Sequence, residues 1–222
     1  MGDWAAHVRR EEERYRDGES RLQDVGDHDA RQRQLARMGN AAAGAGLSQL
    51  MGGNTDAARE WFAKAVERYR ESYEHAPPES WGRPIGILKA RILAEDWAGA
   101  EADSQWTLEQ GAAEAGSPIG RYAGCVALLV LGRDAEARVL ADGLRTNAEF
   151  PQPVGDALAM IAAQDPLGYI EAVEQVLESF ETREEYLEDL PVADTVMVLQ
   201  ALAARRGLAA ELSSPLLPYA LP

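Results

Sequence analysis

Cysteine occurs once in this chain, at Cys125, so no intrachain disulfide can form and nothing marks the protein for an oxidising compartment. Lysine is almost missing as well. Lys64 and Lys89 stand against 20 arginines, a bias that codon usage explains, with a saline host as the alternative. No long apolar run is present. The longest, CVALLVLG at 125–132, falls well short of the roughly 20 residues that a membrane span needs. The N-terminal stretch MGDWAAHVRREEERYR has no apolar signal core. Together these absences predict a cytoplasmic protein.

Strand signals are missing too. No sustained β-branched alternation occurs, and no Asn-Gly or Asp-Gly turn joins two apolar runs. Histidine is scarce, at His7, His28 and His75 only. No Ser/His/Asp set and no nucleophile elbow can be assembled, and no glycine-rich loop suits a phosphate. MGGN at 51–54 reads as a helix stop followed by a helix start. Cys125 sits in an apolar stretch without a neighbouring histidine, where a thiol behaves as a small apolar side chain. The sequence therefore predicts no catalytic residue, no cofactor and no enzyme.

What the chain does have is acid. Its 222 residues carry a net charge of −15. That excludes the clustered cations a nucleic-acid binder or an anionic membrane surface would require. The acid is unevenly spread. Residues 1–40 hold 9 Asp/Glu against 8 Lys/Arg, whereas 142–194 hold 13 against 2. Apolar residues make up 46%, enough for a sizeable core.

Helical spacing runs throughout. Trp61, Ala65, Tyr69 and Tyr73 share one face, and so do Ile170, Val173, Leu177 and Phe180. A small pattern also recurs: RPIG at 83–86, SPIG at 117–120, QPVG at 152–155 and LPVA at 190–193. Its prolines, Pro84, Pro118, Pro153 and Pro191, are separated by 34, 35 and 38 residues. Proline suits the first helical position, where its missing N–H has no intrahelical partner anyway. Ser117 and Asp165 precede prolines as good N-caps. Each pattern is thus expected to open a helix, with its small third residue letting a neighbour approach closely.

A shift of 69 residues superimposes Pro84, Gly86, Ala94, Asp96 and Gly99 on Pro153, Gly155, Ala163, Asp165 and Gly168. Each unit reads as helix, tight acidic turn, helix, and such periods point to a stacked array. Helices are expected near 4–16, 29–51, 55–75, 82–94, 96–110, 118–131, 133–146, 153–163, 166–181 and 191–206, with a short helical turn at 183–189. Residues 17–28 read as a polar linker joining an N-terminal helix to a domain at 29–212, and 213–222 as an extended Pro-rich tail. The tail would cover the last hairpin or, alternatively, insert into a second copy to make a homodimer.

Residues 53–66, GNTDAAREWFAKAV, resemble the turn and second helix of a tetratricopeptide repeat: a Gly53-Asn54 turn, small Ala58, aromatic Phe62 and Ala65, with Gly46 at the small position of the preceding helix. The resemblance extends over about 30–206. In later copies Ala100 and Ala137 keep the small position, while the aromatic becomes Ser104 and Ala141. It implies an all-α, right-handed superhelical stack (an α-solenoid) of antiparallel hairpins whose first helices line a concave groove for a protein or peptide partner. Arg83, Lys89, Arg91 and Arg121, with Trp81 and Tyr122, would then face the ligand. Trp81, ahead of a helix, is the tryptophan expected to be exposed. Relatives that clamp a peptide's terminal carboxylate carry polar residues where this chain has Ala43, Leu47, Tyr122 and Val126.

Two charged features remain. Glu171, Glu174, Glu178, Glu181, Glu185 and Glu188 follow helical spacing and would form one carboxylate stripe if a single helix held them all. A capping box at Thr182–Glu185 would break it. The stripe is either a solvated outer face or a dock for a basic partner. The second feature, DVGDHD at 24–29, places Asp24, Asp27, His28 and Asp29 together as solvated linker residues or metal ligands. Three functions follow, in order: a non-catalytic interaction scaffold, an acidic inhibitor or immunity-type protein masking a basic enzyme, and a metal-dependent enzyme.

Overall fold

The computed structural model describes residues 3–219, and among them every regular element is helical. Ten α-helices follow in order: α1 Trp4–Leu22, α2 His28–Met51, α3 Thr55–Glu74, α4 Gly82–Leu93, α5 Trp97–Glu109, α6 Pro118–Val130, α7 Asp134–Arg145, α8 Gln152–Ala163, α9 Pro166–Glu181 and α10 Asp194–Ala204. Short 3₁₀ turns lie at Ala112–Glu114 and Leu187–Asp189. The chain forms two compact units. Among the described residues, unit 1 comprises the chain up to Glu95 together with Glu185–Val192 and the tail from Pro218, and unit 2 comprises Asp96–Glu184 with Ala193–Leu217.

Within each unit, helices pack on their neighbours in sequence. In unit 1, α1 lies on α2, α2 on α3 and α3 on α4, and α2 also touches α4. In unit 2, α5 to α9 pack in succession, α6 touches α8, and α10 closes against α8 and α9. The fold is all-α, and each unit by itself is solenoid-like: helices stack on their sequence neighbours, and first helices meet, α2 with α4 in unit 1 and α6 with α8 and α8 with α10 in unit 2.

The hairpin turns share one device. The residue before the next N-cap is left-handed in four of them: Gly53 (φ 79°), Glu95 (φ 57°), Gly132 (φ 70°) and Gln164 (φ 54°). A left-handed residue ends a helix by turning its last N–H groups onto free carbonyls. The cap that follows starts the next helix. Asp96 accepts from the Gly99 amide at 3.0 Å, and Asp165 accepts from that of Gly168 at 3.1 Å. These pairs are related by the 69-residue shift, so the internal repeat is a repeat of turn geometry.

Small residues bring the helices close. Phe62 of α3 is buried against Gly46 of α2, where an added Cβ would come within 2.7 Å of the ring. Ala58 and Ala65, one turn to either side, are fully buried. Tyr69 is wedged between Gly39 and Gly86, which would place a Cβ 2.7 and 2.6 Å from its ring. Gly155 of α8 lies against the backbone of Arg145, at 2.7 Å for the equivalent Cβ. The small third residue of the Pro-Ile/Val-Gly pattern thus makes the close approaches at Gly86 and Gly155.

Several expectations change. Pro118 opens α6, but Pro153 is the second residue of α8 and Pro84 the third of α4. Pro191 opens nothing, because α10 starts at Asp194. There the Val192 amide donates to the Leu190 carbonyl at 2.8 Å, a tight turn around Pro191 in place of a helical one, and the Ala193 amide donates to the Leu216 carbonyl at 3.0 Å. The segment predicted as a linker from 17 is helical to Leu22. On α9 the buried stripe is Tyr169, Ala172, Val173, Val176, Leu177 and Phe180, so Tyr169 replaces Ile170, which is 37% exposed. Tyr169 is fully enclosed, and its hydroxyl donates to Gln200 at 2.7 Å. The tail packs on its own chain as far as Leu216, Leu217 and Pro218, while Tyr219 is exposed. The last tail residues, 220–222, lie outside the described residues.

Candidate functional site

The groove residues expected from the repeat resemblance take different positions. Trp81 is buried, 5% exposed, against the expectation of an exposed anchor. It fills the turn ahead of α4, and its indole Nε1 has no hydrogen-bond partner among the described residues. Tyr122 is also buried, its ring 5.5 Å from that of Phe150, so it is a core residue. Lys89 and Arg91 are half-buried on α4, and neither is free. Arg121 is exposed and donates through Nε to the Ala115 carbonyl at 3.0 Å, which ties down the loop ahead of α6.

Arg83 is held by neutral oxygens. Its Nη2 donates to Gln32 Oε1 at 2.5 Å and its Nε to Ser72 Oγ at 3.2 Å, while Ser72 Oγ donates to the Gln32 carbonyl at 2.7 Å. No carboxylate lies within ion-pairing distance among the described residues. Burial lowers the guanidinium pKa from its ordinary value, and the neighbouring Tyr69 acts the other way. The group stays charged, so unit 1 keeps a partly desolvated cation with no anion beside it.

The glutamate stripe is divided. Glu171, Glu174, Glu178 and Glu181 project from α9 into solvent. The helix then stops at Thr182, whose Oγ1 donates to the Glu178 carbonyl at 2.9 Å, so the residue caps the end of α9 and no capping box starts a new helix. Glu185 is exposed beyond the helix. Glu181 accepts from Ser214 Oγ at 2.7 Å. Glu171, Glu174 and Glu178 make no side-chain hydrogen bond or ion pair among the described residues. Leu167, 78% exposed, and Ile170 continue the same outward face.

Glu188 belongs to a network that no sequence spacing announced. Its Oε1 accepts from Asn40 Nδ2 at 3.0 Å, its Oε2 pairs with Arg14, and its backbone carbonyl accepts from Arg10 Nη2 at 2.8 Å. Both arginines also bond Glu11, at 2.9 Å from Arg10 Nε and 2.8 Å from Arg14 Nη1. Glu11 is completely buried. Asn40 Oδ1 in turn accepts from the Tyr69 hydroxyl at 2.9 Å. Burial works against the Glu188 charge, but the bonds from Arg14 and Asn40 and the charges of Arg14 and Arg10 outweigh it, holding the carboxyl below the ordinary glutamate value. The one local hint is the run RREEER at 9–14, which puts Arg10, Glu11 and Arg14 on one helical face.

The candidate metal ligands do other work. Asp27 caps α2 by accepting from the Ala30 amide at 2.8 Å, and the His28 ring lies edge-on to His75 at 4.7 Å. Among the described residues no three His, Cys, Asp or Glu side chains converge to hold a metal ion. Cys125 is fully buried, and burial pushes its thiol up to about 12. Among the described residues no helix is long and apolar enough to cross a membrane. Compared with known proteins, the chain matches no family model, no curated protein and no solved structure.

Proposed function

We propose that the protein is a non-catalytic interaction scaffold of the tetratricopeptide-like class, working in the cytoplasm, and that it docks a protein partner on the outward face of α9. The observation carrying this reading is the face itself. Leu167 and Ile170 lie exposed at one end of the stripe, and the unpaired carboxylates of Glu171, Glu174 and Glu178 follow along it. Exposed aliphatic side chains supply contact area that gains free energy when covered. Unpaired carboxylates select and steer a basic partner. A rigid helix with fully buried Tyr169 and Val173 behind it presents both without rearrangement.

The test is capture of the partner by the full-length protein and by two variants, Leu167→Asp and the triple Glu171→Gln/Glu174→Gln/Glu178→Gln. Capture that weakens with salt and is lost in both variants supports the reading. Capture unchanged in both overturns it. The same unpaired carboxylates favour a second reading, an acidic inhibitor or immunity-type protein that masks a basic enzyme. An assay of the captured partner separates the two, because a masked enzyme loses activity in the complex whereas a scaffolded one keeps it.

A further inference from the structure

We propose that Arg10, Arg14 and Asn40 form a carboxylate-recognition site in unit 1 for an extended acidic peptide, and that the chain's own Glu185–Val192 segment occupies this site as an internal competitor. The site is separate from the α9 face and does not depend on it.

The charge balance points this way. Two arginines meet in a partly buried place with one resident acid, Glu11, which is fully enclosed and bonds both. One positive charge is left over, and Glu188 neutralises it. Without a second carboxylate the site would keep an uncompensated, half-desolvated cation, which is costly. The site is therefore built for two carboxylates, one permanent and one delivered by a segment of chain.

What the segment delivers is generic. It is held by one side-chain carboxylate and one backbone carbonyl, and any extended chain with a glutamate offers both. The docked conformation is also unfavourable. Glu188 and its neighbour Asp189 are both left-handed, at φ 57° and 54°, a region that non-glycine residues seldom occupy. A free peptide can present its carboxylate without that constraint. Residues 182–185 upstream are exposed, and Leu190 and Val192 downstream are buried. Release is then a local lifting of 185–189 about an anchored end. Because the competitor is tethered, it acts at a high effective concentration, and the site stays closed to weak ligands.

The experiment measures binding of a fluorescein-labelled peptide copying residues 182–193 to the full-length protein, by anisotropy. The Glu188→Ala variant should bind it at least about 10-fold more tightly than wild type, as removal of a tethered competitor requires. Adding Arg14→Ala should abolish binding, and a peptide with glutamine at the Glu188 position should fail to bind. Equal affinity of wild type and Glu188→Ala, or equal binding of the glutamate and glutamine peptides, overturns the proposal. Should Glu188→Ala not fold, wild type gives a second readout. Saturating peptide should speed hydrogen exchange at amides 186–190, and unchanged exchange counts against the site. The α9 triple variant should bind the peptide like its parent, so failure of the α9 reading leaves this test intact.

Discussion

The amide of Asn40 donates to the carboxylate of Glu188 across 3.0 Å, joining the middle of α2 to a segment that follows α9 in the chain. The bond is one of three that fix Glu188; those from Asn40 and Arg14 reach its carboxylate and favour its charged form, while Arg10 bonds the backbone carbonyl and favours it through its positive charge. The folded carboxyl accordingly titrates below the ordinary value of 4.5. A depressed carboxyl contributes stability above the unfolded value and loses it as pH falls through the folded one. Docking of 185–190 should be complete at pH 6 and weaken below pH 4.5. Protection of amides 186–190 from hydrogen exchange, taken relative to their intrinsic exchange rates at each pH, should fall on acidification in wild type and be nearly flat in Glu188→Gln.

Phe62 and Gly46 set the approach of α3 to α2. Phe62→Ala should cost about 3–5 kcal/mol, the range for emptying a buried aromatic site. Gly46→Ala should cost about 1–3 kcal/mol by overpacking, since its Cβ would lie 2.7 Å from the ring. The double variant should lose less than the sum, because the alanine at 46 then fills part of the space the ring vacates. Urea unfolding of the four proteins gives the coupling. Strict additivity would show that the two residues do not share that space.

Local chemistry made most of the helices legible and little of the site. Ser117 before Pro118 and Asp165 before Pro166 mark helix starts because cap and proline act within four residues of one another. Pro191 carried the same mark and misled. The chain makes a tight turn there, with the Val192 N–H donating to the Leu190 carbonyl, and the Ala193 amide is taken up by Leu216, a partner far along the chain. Trp81 and Tyr122 look available in the sequence because each stands at a helix start or on a first helix, yet both are buried, Tyr122 against Phe150. The Glu188 site was invisible for a related reason. Arg10 and Arg14, Asn40 and Glu188 come from three distant stretches, and no periodicity within one stretch can announce their meeting.

Arg206 and Asp134 form a well-enclosed ion pair in unit 2, and Arg206 also donates to the Leu129 carbonyl at 2.7 Å. Burial opposes the Asp134 charge, but the hydrogen bonds of Arg206 and Gln164 hold its carboxyl below the ordinary value. Arg206→Met should destabilise unit 2 by roughly 3 kcal/mol, because it strands a desolvated carboxylate and a carbonyl. The companion Arg206→Met/Asp134→Leu should recover part of that loss. Thermal unfolding of both variants checks the order.

Cys125 should resist alkylation in the native protein. Its thiol is fully buried and pushed up to about 12, so almost no thiolate exists at neutral pH. Iodoacetamide at pH 8 should modify it only as fast as the protein opens. Its labelling rate, read by mass spectrometry, should rise steeply through the urea transition. Rapid labelling in buffer would mean that α6 is not enclosed as the structure has it.

The left-handed turn residues make a prediction of opposite signs. Gly132 and Gln164 occupy equivalent places before an N-cap, at φ 70° and 54°. Left-handed backbone costs an ordinary L-residue about 1 kcal/mol and glycine nothing. Gln164→Gly should therefore stabilise the protein. The gain is reduced by loss of the bond that Gln164 Nε2 donates to Asp134 at 3.2 Å, leaving about 0.5 kcal/mol. Gly132→Ala should destabilise by about 1 kcal/mol, although no atom lies within 4 Å of its added Cβ. Because that site is open, steric crowding cannot account for the loss, and the backbone conformation alone is being measured. If both variants lower the midpoint of urea unfolding, the turn at 164 is held by its side chain; if Gln164→Gly raises it while Gly132→Ala lowers it, the shared backbone geometry of the repeat is what sets hairpin stability.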